Sequence, residues 1–169
     1  MNENKKIKVG IIGATGFAGV ELVRILAAHP AVEIAALGSV SFEGKAISEV
    51  YPSLLNICDK PCVDTEELIE SSDLIFAGVA HGMSQEFAAA CRAGGKLFVD
   101  LGADFRLEDE EEYKQWYGGS FLDADLHGEA VYGLPELFRE DIRGKKLVAN
   151  PGCYPTGAAL ALYPALKAG

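Results

Sequence analysis

The chain has 169 residues, of which 49% are hydrophobic and 24% charged, and its formal net charge is -10. This length suits one good core and is short for two full domains. The negative charge argues against nucleic acid and anionic membrane surfaces as partners, although backbone N–H groups can still hold a small anionic ligand. No apolar run is long enough to cross a bilayer, residues 1–6 lack a signal-peptide core, and the four cysteines are unevenly spaced, so we expect a cytoplasmic protein with free thiols.

Apolar runs alternate with helical patterns along the chain. The first strand is predicted over residues 7–12 and the first helix over residues 17–28, which stops before Pro30. Further strands are predicted over residues 31–37, 74–79, 97–101 and 147–149, with an extra strand near residues 131–132. Further helices are predicted over residues 65–70, 84–93 and 156–168, and from the acidic run at residues 108–112, which is typical of a solvated helix start.

This alternation predicts the fold class. Short strands that are apolar on both faces and separated by helices indicate a parallel sheet with right-handed crossovers. The sequence therefore predicts a doubly wound α/β fold with a mostly parallel sheet, as in Rossmann-type NAD(P)-binding domains.

The first predicted strand runs into a glycine-rich loop. Glycines recur at every third residue from position 10 to position 19. They permit a tight turn and a close approach to a pyrophosphate, which would sit on the following helix N-terminus. Such a pattern also fits a purely structural turn, but the strand before it and the amphipathic helix after it favour a dinucleotide site. We expect cofactor contacts from Gly10, Gly13, Ala14, Thr15, Gly16 and Phe17.

The end of the second predicted strand indicates which dinucleotide is bound. An NAD site usually has a carboxylate there, on the ribose 2′-OH, whereas this chain has Ser39 and Ser41 with Lys45 nearby. Hydroxyls and a lysine suit a 2′-phosphate, so NADP(H) is favoured, although Glu43 in the same loop speaks against it. His81, which follows a later strand, either lines the cofactor site or has only a structural role in its loop.

A cysteine follows the last predicted strand. Cys153 lies between Pro151 and Pro155, just before a predicted helix. The carboxyl ends of parallel strands are where ligands bind, and a helix N-terminus stabilises a thiolate and makes it a better nucleophile. The sequence therefore favours Cys153 as a nucleophile over the alternative, a small buried core thiol.

The other cysteines do not fit catalytic or metal sites. Cys58 and Cys62 form a pair without a second pair or an adjacent histidine, so no zinc site is expected, and no other metal is expected either. Cys91 lies in an apolar helical pattern and is predicted to be core.

Four motifs in the same order resemble the N-acetyl-γ-glutamyl-phosphate reductases of arginine biosynthesis over essentially the whole chain. They are the glycine loop at residues 10–19 with Glu21-Leu22, Val-Asp-Leu-Gly-Ala-Asp-Phe-Arg-Leu at 99–107, Tyr-Gly-Leu-Pro-Glu-Leu at 132–137 and Asn-Pro-Gly-Cys-Tyr-Pro-Thr at 150–156. The aspartate-β-semialdehyde dehydrogenases share the glycine loop and an Asn-Pro-x-Cys nucleophile, and remain an alternative with aspartyl phosphate as substrate.

The resemblance implies an NADPH-dependent reduction of N-acetyl-γ-glutamyl phosphate to the 5-semialdehyde. Cys153 would attack the acyl phosphate and form a thioester, which hydride would then reduce. Asn150 would position the substrate or the thiol. Arg106 would bind the substrate phosphate, unless it is a surface arginine that faces the acidic helix after it.

The chain also departs from the family pattern. Gly102 stands where the family more often has serine. Family members continue into a substrate domain that carries a general acid/base histidine, and His29, His81 and His127 do not stand in that context. We therefore expect a dinucleotide-binding domain at residues 1–149, and at 150–169 a nucleophile loop and helix leading towards a substrate domain largely absent from this chain. The full-length protein is expected to be a homo-oligomer, and the second hypothesis for this chain is a non-catalytic NADP-binding module.

Overall fold

The computed structural model describes residues 5–169. Residues 1–4, which include the start of the predicted domain 1–149 and most of the N-terminal segment predicted to lack a signal-peptide core, lie outside the described residues. The strands are β1 (Ile7–Ile12), β2 (Val32–Gly38), β3 (Cys62–Val63), β4 (Leu74–Ala77), β5 (Leu97–Asp100), β6 (Val131–Tyr132) and β7 (Leu147–Ala149). The helices are α1 (Phe17–Ala27), α2 (Ile47–Val50), α3 (Thr65–Ser71), α4 (Ser84–Ala93), α5 (Glu110–Tyr117), α6 (Ala124–Glu129), α7 (Pro135–Ile142) and α8 (Cys153–Ala168), with a 3-10 turn at Pro52–Leu54.

The strands form one seven-stranded sheet in the order β3-β2-β1-β4-β5-β7-β6. Every pairing in this sheet is parallel. The prediction of a doubly wound α/β fold is confirmed, and the sheet is parallel throughout the described residues rather than mostly so. The glycine loop, Cys153 and the ends of β2, β4 and β5 therefore share one edge of the sheet.

Strand β1 shows how the sheet separates two cores. Val9 and Ile11 pack with Val23 of α1 on one face. Ile12, with the opposite orientation, packs with Leu68 of α3 on the other face. Side chains alternate between the faces of a strand, so an apolar run such as β1 is buried on both sides and holds the edge above it rigidly.

Helix α8 begins one turn earlier than predicted, at Cys153 instead of Thr156. The first-turn N–H groups of a helix have no intrahelical partner, so Pro155 is accommodated there and does not delay the helix. Cys153 is consequently the first residue of the helix.

Several short elements have no counterpart in the prediction: α2, the 3-10 turn, β3, α6 and α7. Each is at most eight residues long, which leaves too little sequence for a hydrophobic period to stand out. Among residues 5–169, no helix has both the length and the apolar character to cross a membrane.

Candidate cofactor and nucleophile site

The glycine loop joins β1 to α1 and is held by backbone contacts. Gly13 has φ +78°, and a Cβ there would overlap the Gly78 carbonyl oxygen. The N–H groups of Gly13 and Ala14 both donate to the Gly38 carbonyl, at 3.0 and 2.9 Å. These two N–H groups therefore tie the loop to β2, and the donors left for a pyrophosphate are those at the start of α1, which have no intrahelical partner.

Of the other three glycines of the series, two have packing roles. A Cβ on Gly19 would overlap the Gly13 carbonyl oxygen, so α1 packs directly on the loop backbone. Gly10 lies within β1, and a Cβ there would stand 2.6 Å from both Leu68 Cδ2 and Ser72 Oγ. Gly10 thus makes room for α3 beneath the sheet, while Gly16 caps the N-terminus of α1.

A cavity of about 290 Å³ opens beside the loop. It is lined by Ile12, Gly13, Thr15, Gly38, Ser39, Val40, Ser41, Glu43, Val63, Asp64, Thr65, Val79, Met83 and Phe87. The predicted contacts Ser39 and Ser41 are both part of this lining. Lys45 is not, since its ammonium lies 5.8 Å from the centre of the Phe42 ring, and Glu43 lines the cavity instead.

Two contacts connect the glycine loop to its surroundings. Thr15 Oγ1 and Ser39 Oγ are 2.7 Å apart, so the hydroxyls at the ends of β1 and β2 bond to each other. The Tyr51 hydroxyl donates to the Thr15 carbonyl at 2.7 Å. Phe17, the first residue of α1 and a predicted cofactor contact, is 93% exposed and does not line the cavity.

His81 points away from the cavity. Its Nδ1 lies 2.7 Å from Asp104 Oδ1, and its Nε2 lies 3.1 Å from the Tyr117 carbonyl oxygen. From the same loop, Val79 and Met83 line the cavity. These contacts favour the structural role of His81 over direct contact with the cofactor.

Asp100, at the end of β5, is fully buried. Its Oδ1 accepts from Ser84 Oγ at 2.6 Å and from the Gly102 N–H at 2.8 Å, while Oδ2 has no partner among residues 5–169. Burial raises the pKa of this carboxyl above its usual value. A Cβ on Gly102 would stand 2.9 Å from Asp100 Oδ1, so the glycine at this departure from the family pattern makes room for the carboxyl.

Arg106 joins the ends of β5 and β7. Its Nε donates to the Asn150 carbonyl at 2.9 Å, and its Nη2 donates to the Leu101 carbonyl at 3.1 Å. Its Nη1 lies 3.2 Å from where a Cβ on Gly152 would stand and has no partner among the described residues. The acidic residues at the start of α5 pair with Lys114, so the contacts of Arg106 favour a site role over the surface alternative.

The chain after β7 carries Asn150 and Cys153. The Asn150 N–H donates to the Asp100 carbonyl at 2.8 Å, and its side-chain amide donates to the Pro151 carbonyl at 3.1 Å. Gly152 caps α8 in an extended conformation, and its carbonyl accepts from the Thr156 hydroxyl at 2.8 Å. Cys153, the next residue, is exposed.

The other three cysteines are free and buried. Burial raises the pKa of the Cys91 thiol to about 12 and also raises the pKa of Cys62. A thiolate is the reactive form, so Cys62 and Cys91 are poor nucleophiles at neutral pH. Within residues 5–169, no three or more His, Cys, Asp or Glu side chains are grouped so as to hold a metal ion.

Two residues of the site were missed by sequence reasoning, Asp100 and Asp104. Both are fully buried and organise the loops at the sheet edge. The available signal was their position, because Asp100-Leu-Gly-Ala-Asp104 follows directly after a buried strand, where an unpaired carboxylate would be costly.

The amino-acid sequence is similar to a known family and to curated proteins. Residues 8–145 match the family described as the NAD-binding domain of semialdehyde dehydrogenases. The N-acetyl-gamma-glutamyl-phosphate reductases of Clostridium botulinum (strain Eklund 17B / Type B) and Alkaliphilus metalliredigens are 50% and 51% identical over 161 and 163 residues. Each alignment covers 95% of this chain and 47% of the relative, so the chain spans about half the length of the curated relatives it matches.

Solved structures share the fold. Aspartate semialdehyde dehydrogenase II from Vibrio cholerae matches with a TM-score of 0.72 at 21% identity, over 97% of this chain and 43% of that one. Aspartate semialdehyde dehydrogenase with NADP from Candida albicans matches with a TM-score of 0.69 at 19% identity, over 96% of this chain and 47% of that one.

Proposed function

The chain belongs to the NAD-binding domain family of the semialdehyde dehydrogenases, and we propose that it is the N-terminal half of an NADPH-dependent N-acetyl-γ-glutamyl-phosphate reductase. One observation carries the proposal: Cys153 is an exposed thiol at the first turn of α8, on the same sheet edge as the glycine loop. Strands β1 and β7 are three strand spacings apart in the sheet, roughly 14 Å. The N-acetyl-gamma-glutamyl-phosphate reductases that are 50% and 51% identical to this chain favour the N-acetylglutamyl substrate over aspartyl phosphate.

The residues present fit NADP(H). A side chain at Gly13 would overlap Gly78 where the glycine loop approaches it, so position 13 of the loop accepts only glycine. The adjoining cavity offers the hydroxyls of Thr15, Ser39 and Ser41 to the ribose and its 2′-phosphate. When bound, the cofactor supplies hydride to the carbonyl carbon of the substrate.

In the first step, Cys153 captures the acyl group. Its thiolate sulfur forms a bond to the acyl carbon, and the bond from that carbon to the phosphate oxygen breaks, with the electron pair leaving on inorganic phosphate. Arg106 Nη1, which lies beside Gly152 and has no partner among the described residues, would hold the phosphate oxygens. Gly152 offers no side-chain cap, so the first N–H groups of α8 can donate to the oxyanion of the tetrahedral intermediate.

In the second step, Cys153 would release the acyl group: once the thioester carbon had received the hydride that a bound cofactor would supply, the C–S bond would break and the semialdehyde would form. Cys153 leaves as the thiolate, which the start of α8 again stabilises. Asn150 keeps this loop in place through the bonds of its backbone to Asp100 and Arg106. In this proposal, the histidine that acts as general acid/base lies in the part of the relatives' length that the chain does not span.

Three further elements of the proposal concern the whole protein. Residues 1–149 bind the cofactor, and residues 150–169 lead into a substrate domain. The whole protein is a cytoplasmic homo-oligomer of arginine biosynthesis that acts on a small acyl phosphate. Support for further packing partners comes from α8, which has no buried residue and leaves Tyr154, Leu162 and Leu166 exposed.

The test is the reverse reaction: phosphate-dependent reduction of NADP⁺ with N-acetylglutamate semialdehyde or aspartate semialdehyde. It is run on this chain followed by the remaining half of a relative's length, and on the chain alone. We expect turnover of the N-acetylated substrate by the longer protein. Turnover of aspartate semialdehyde alone would replace the substrate assignment, and failure of both proteins to bind NADPH or NADH would overturn the cofactor assignment.

A further inference from the structure

The segment between β4 and α4, residues 78–83, borders the cofactor cavity on one side only. Val79 and Met83 contribute to the cavity lining. On its other side, the segment is attached to Asp104, which is fully buried behind it. The position of the cavity wall therefore depends on what Asp104 holds.

Asp104 accepts four hydrogen bonds. Oδ1 accepts from the Gly82 N–H at 2.7 Å and from the Tyr113 hydroxyl at 3.2 Å, and it lies 2.7 Å from His81 Nδ1. Oδ2 accepts from the Ser84 N–H at 2.9 Å. Three of these four donors lie between residues 81 and 84, so one carboxylate organises the end of the segment and the first residue of α4.

The contacts of His81 determine its protonation. Nε2 faces the Tyr117 carbonyl, which can only accept, so Nε2 must carry a proton. Nδ1 faces Asp104 Oδ1, which already accepts hydrogen bonds from the Gly82 N–H and the Tyr113 hydroxyl, as an ionised carboxylate does. Because an ionised carboxylate can only accept, both contacts of the His81 ring are made together by an imidazolium ion.

Charge balance agrees with this assignment. A buried carboxylate is costly without a counter-charge, and among the ion pairs of residues 5–169 only His81 faces Asp104. The titratable groups facing the His81 ring are Asp104, and Tyr113 and Tyr117 of α5, whose ring centres lie 5.5 and 4.8 Å away. Burial raises the pKa of Tyr113 well above its usual value, so it remains a neutral donor, and burial also raises the pKa of Asp100 behind Asp104.

We propose that Asp104 and His81 are positioning residues, which hold residues 78–83 against the cofactor through a charged His81 imidazolium clamped between Asp104 and the Tyr117 carbonyl. The part that concerns the cofactor rests on the proposed function. Loss of either imidazolium proton leaves two acceptors facing each other, so the clamp opens as the pH rises. Cofactor binding then weakens with rising pH and is strongest while His81 is charged.

The first experiment reads the clamp without any cofactor. Nitrogen-15 NMR of the three histidine rings is recorded against pH, with His81→Gln to assign the His81 signals. We expect both His81 nitrogens to be protonated at neutral pH, and the Gly82 and Ser84 amides to lose protection from exchange as the ring deprotonates. A neutral His81 ring at pH 7 in the wild-type chain would overturn the proposal.

The second experiment measures the dissociation constant of NADPH from roughly pH 7 upward, where the 2′-phosphate is mostly dianionic and any further gain of charge would only strengthen binding. We expect it to rise about tenfold, at the pH where NMR shows the loss of the His81 proton. His81→Gln and Asp104→Asn should flatten this profile, whereas His29→Gln, on an exposed ring that contacts Ala31, should leave it unchanged.

The two proposals fail in different ways. A chain that shows a charged His81 but binds neither NADPH nor NADH would overturn the proposed function and the cofactor part of this inference, and leave the clamp itself confirmed. A chain that binds NADPH equally at every pH while His81 loses its proton would overturn the positioning role alone. If Asp104→Asn does not fold, the wild-type NMR titration and His81→Gln still decide the question.

Discussion

Helices α1 and α8 both begin after a glycine N-cap at the carboxyl edge of the sheet. Gly16 and Gly152 have nearly the same extended conformation, with φ, ψ of -78°, 168° and -68°, 157°, and neither supplies a side-chain cap. The start of α1 is packed on the glycine loop, whereas α8 has no buried residue and opens with the exposed Cys153. In the proposed function, the same helix-end electrostatics would hold the cofactor pyrophosphate at α1, where the backbone is confined, and would support the Cys153 thiolate at α8, where the thiol is accessible.

The largest expected effect is the loss of activity when the thiol at the start of α8 is removed. Cys153→Ala should lower the rate of semialdehyde formation by the whole-length protein at least about a thousandfold, because no thioester can form. The dissociation constant of NADPH, which depends on α1, should not change. The measurements are NADPH oxidation and cofactor fluorescence.

Cys91→Ala is the matched control, since that thiol is buried and should carry no activity. Iodoacetamide labelling followed by mass spectrometry gives an independent readout. A Cys153 that reacts no faster than Cys91 would remove the nucleophile assignment.

The next prediction compares packing at the two helices. Gly19→Ala should reduce the free energy of unfolding by about 1 to 3 kcal/mol, because the new Cβ overlaps the Gly13 carbonyl oxygen. Gly157→Ala, in exposed α8, should increase it by about 0.5 to 1 kcal/mol, since no atom lies within 4 Å of its Cβ position and alanine favours a helix. Urea unfolding of both variants measures the two changes in the free energy of unfolding. Changes of the same sign would contradict the difference in packing between α1 and α8.

The next prediction concerns Arg106, whose guanidinium bonds to the loop that leads into α8. Arg106→Lys keeps the charge but loses the fork that bonds to the Asn150 and Leu101 carbonyls. We expect KM for the acyl phosphate to rise about tenfold, with NADPH affinity unchanged, in steady-state assays of the whole-length protein. Arg92→Lys, at a surface arginine that pairs with Asp123 and Glu129, should have no such effect.

The smallest effect concerns the cavity beside α1. Glu43 lines this cavity, so its charge opposes a 2′-phosphate there. Glu43→Gln should tighten NADPH binding about threefold and change NADH binding less. Glu33→Gln, an exposed residue near the start of β2, serves as the charge-matched control. Equal effects of both variants on NADPH would assign the gain to net charge and remove Glu43 from the site.

Much of the fold was predictable because its signals are local. The apolar runs of β1 and β7 and the helical pattern of α4 were predicted at the bounds observed. The short elements between Ile47 and Val63 were not, since a few residues carry no period and their positions depend on contacts with the rest of the chain.

The sequence by itself determined the alternation of strands and helices, the glycine loop and the position of a cysteine after the last strand, because these depend on neighbouring residues. Only the tertiary structure decided where long side chains go. Lys45 turns over Phe42 and leaves the cavity to Glu43, and His81 turns from the cavity to Asp104. The orientation of His81 depends on Asp104, which lies 23 residues away in the sequence and is fully buried. No local pattern reveals that burial. Both α1 and α8 follow a glycine N-cap, and tertiary packing alone placed the first turn of α1 against the glycine loop through Gly19 and left α8 with no buried residue and an exposed thiol at its start.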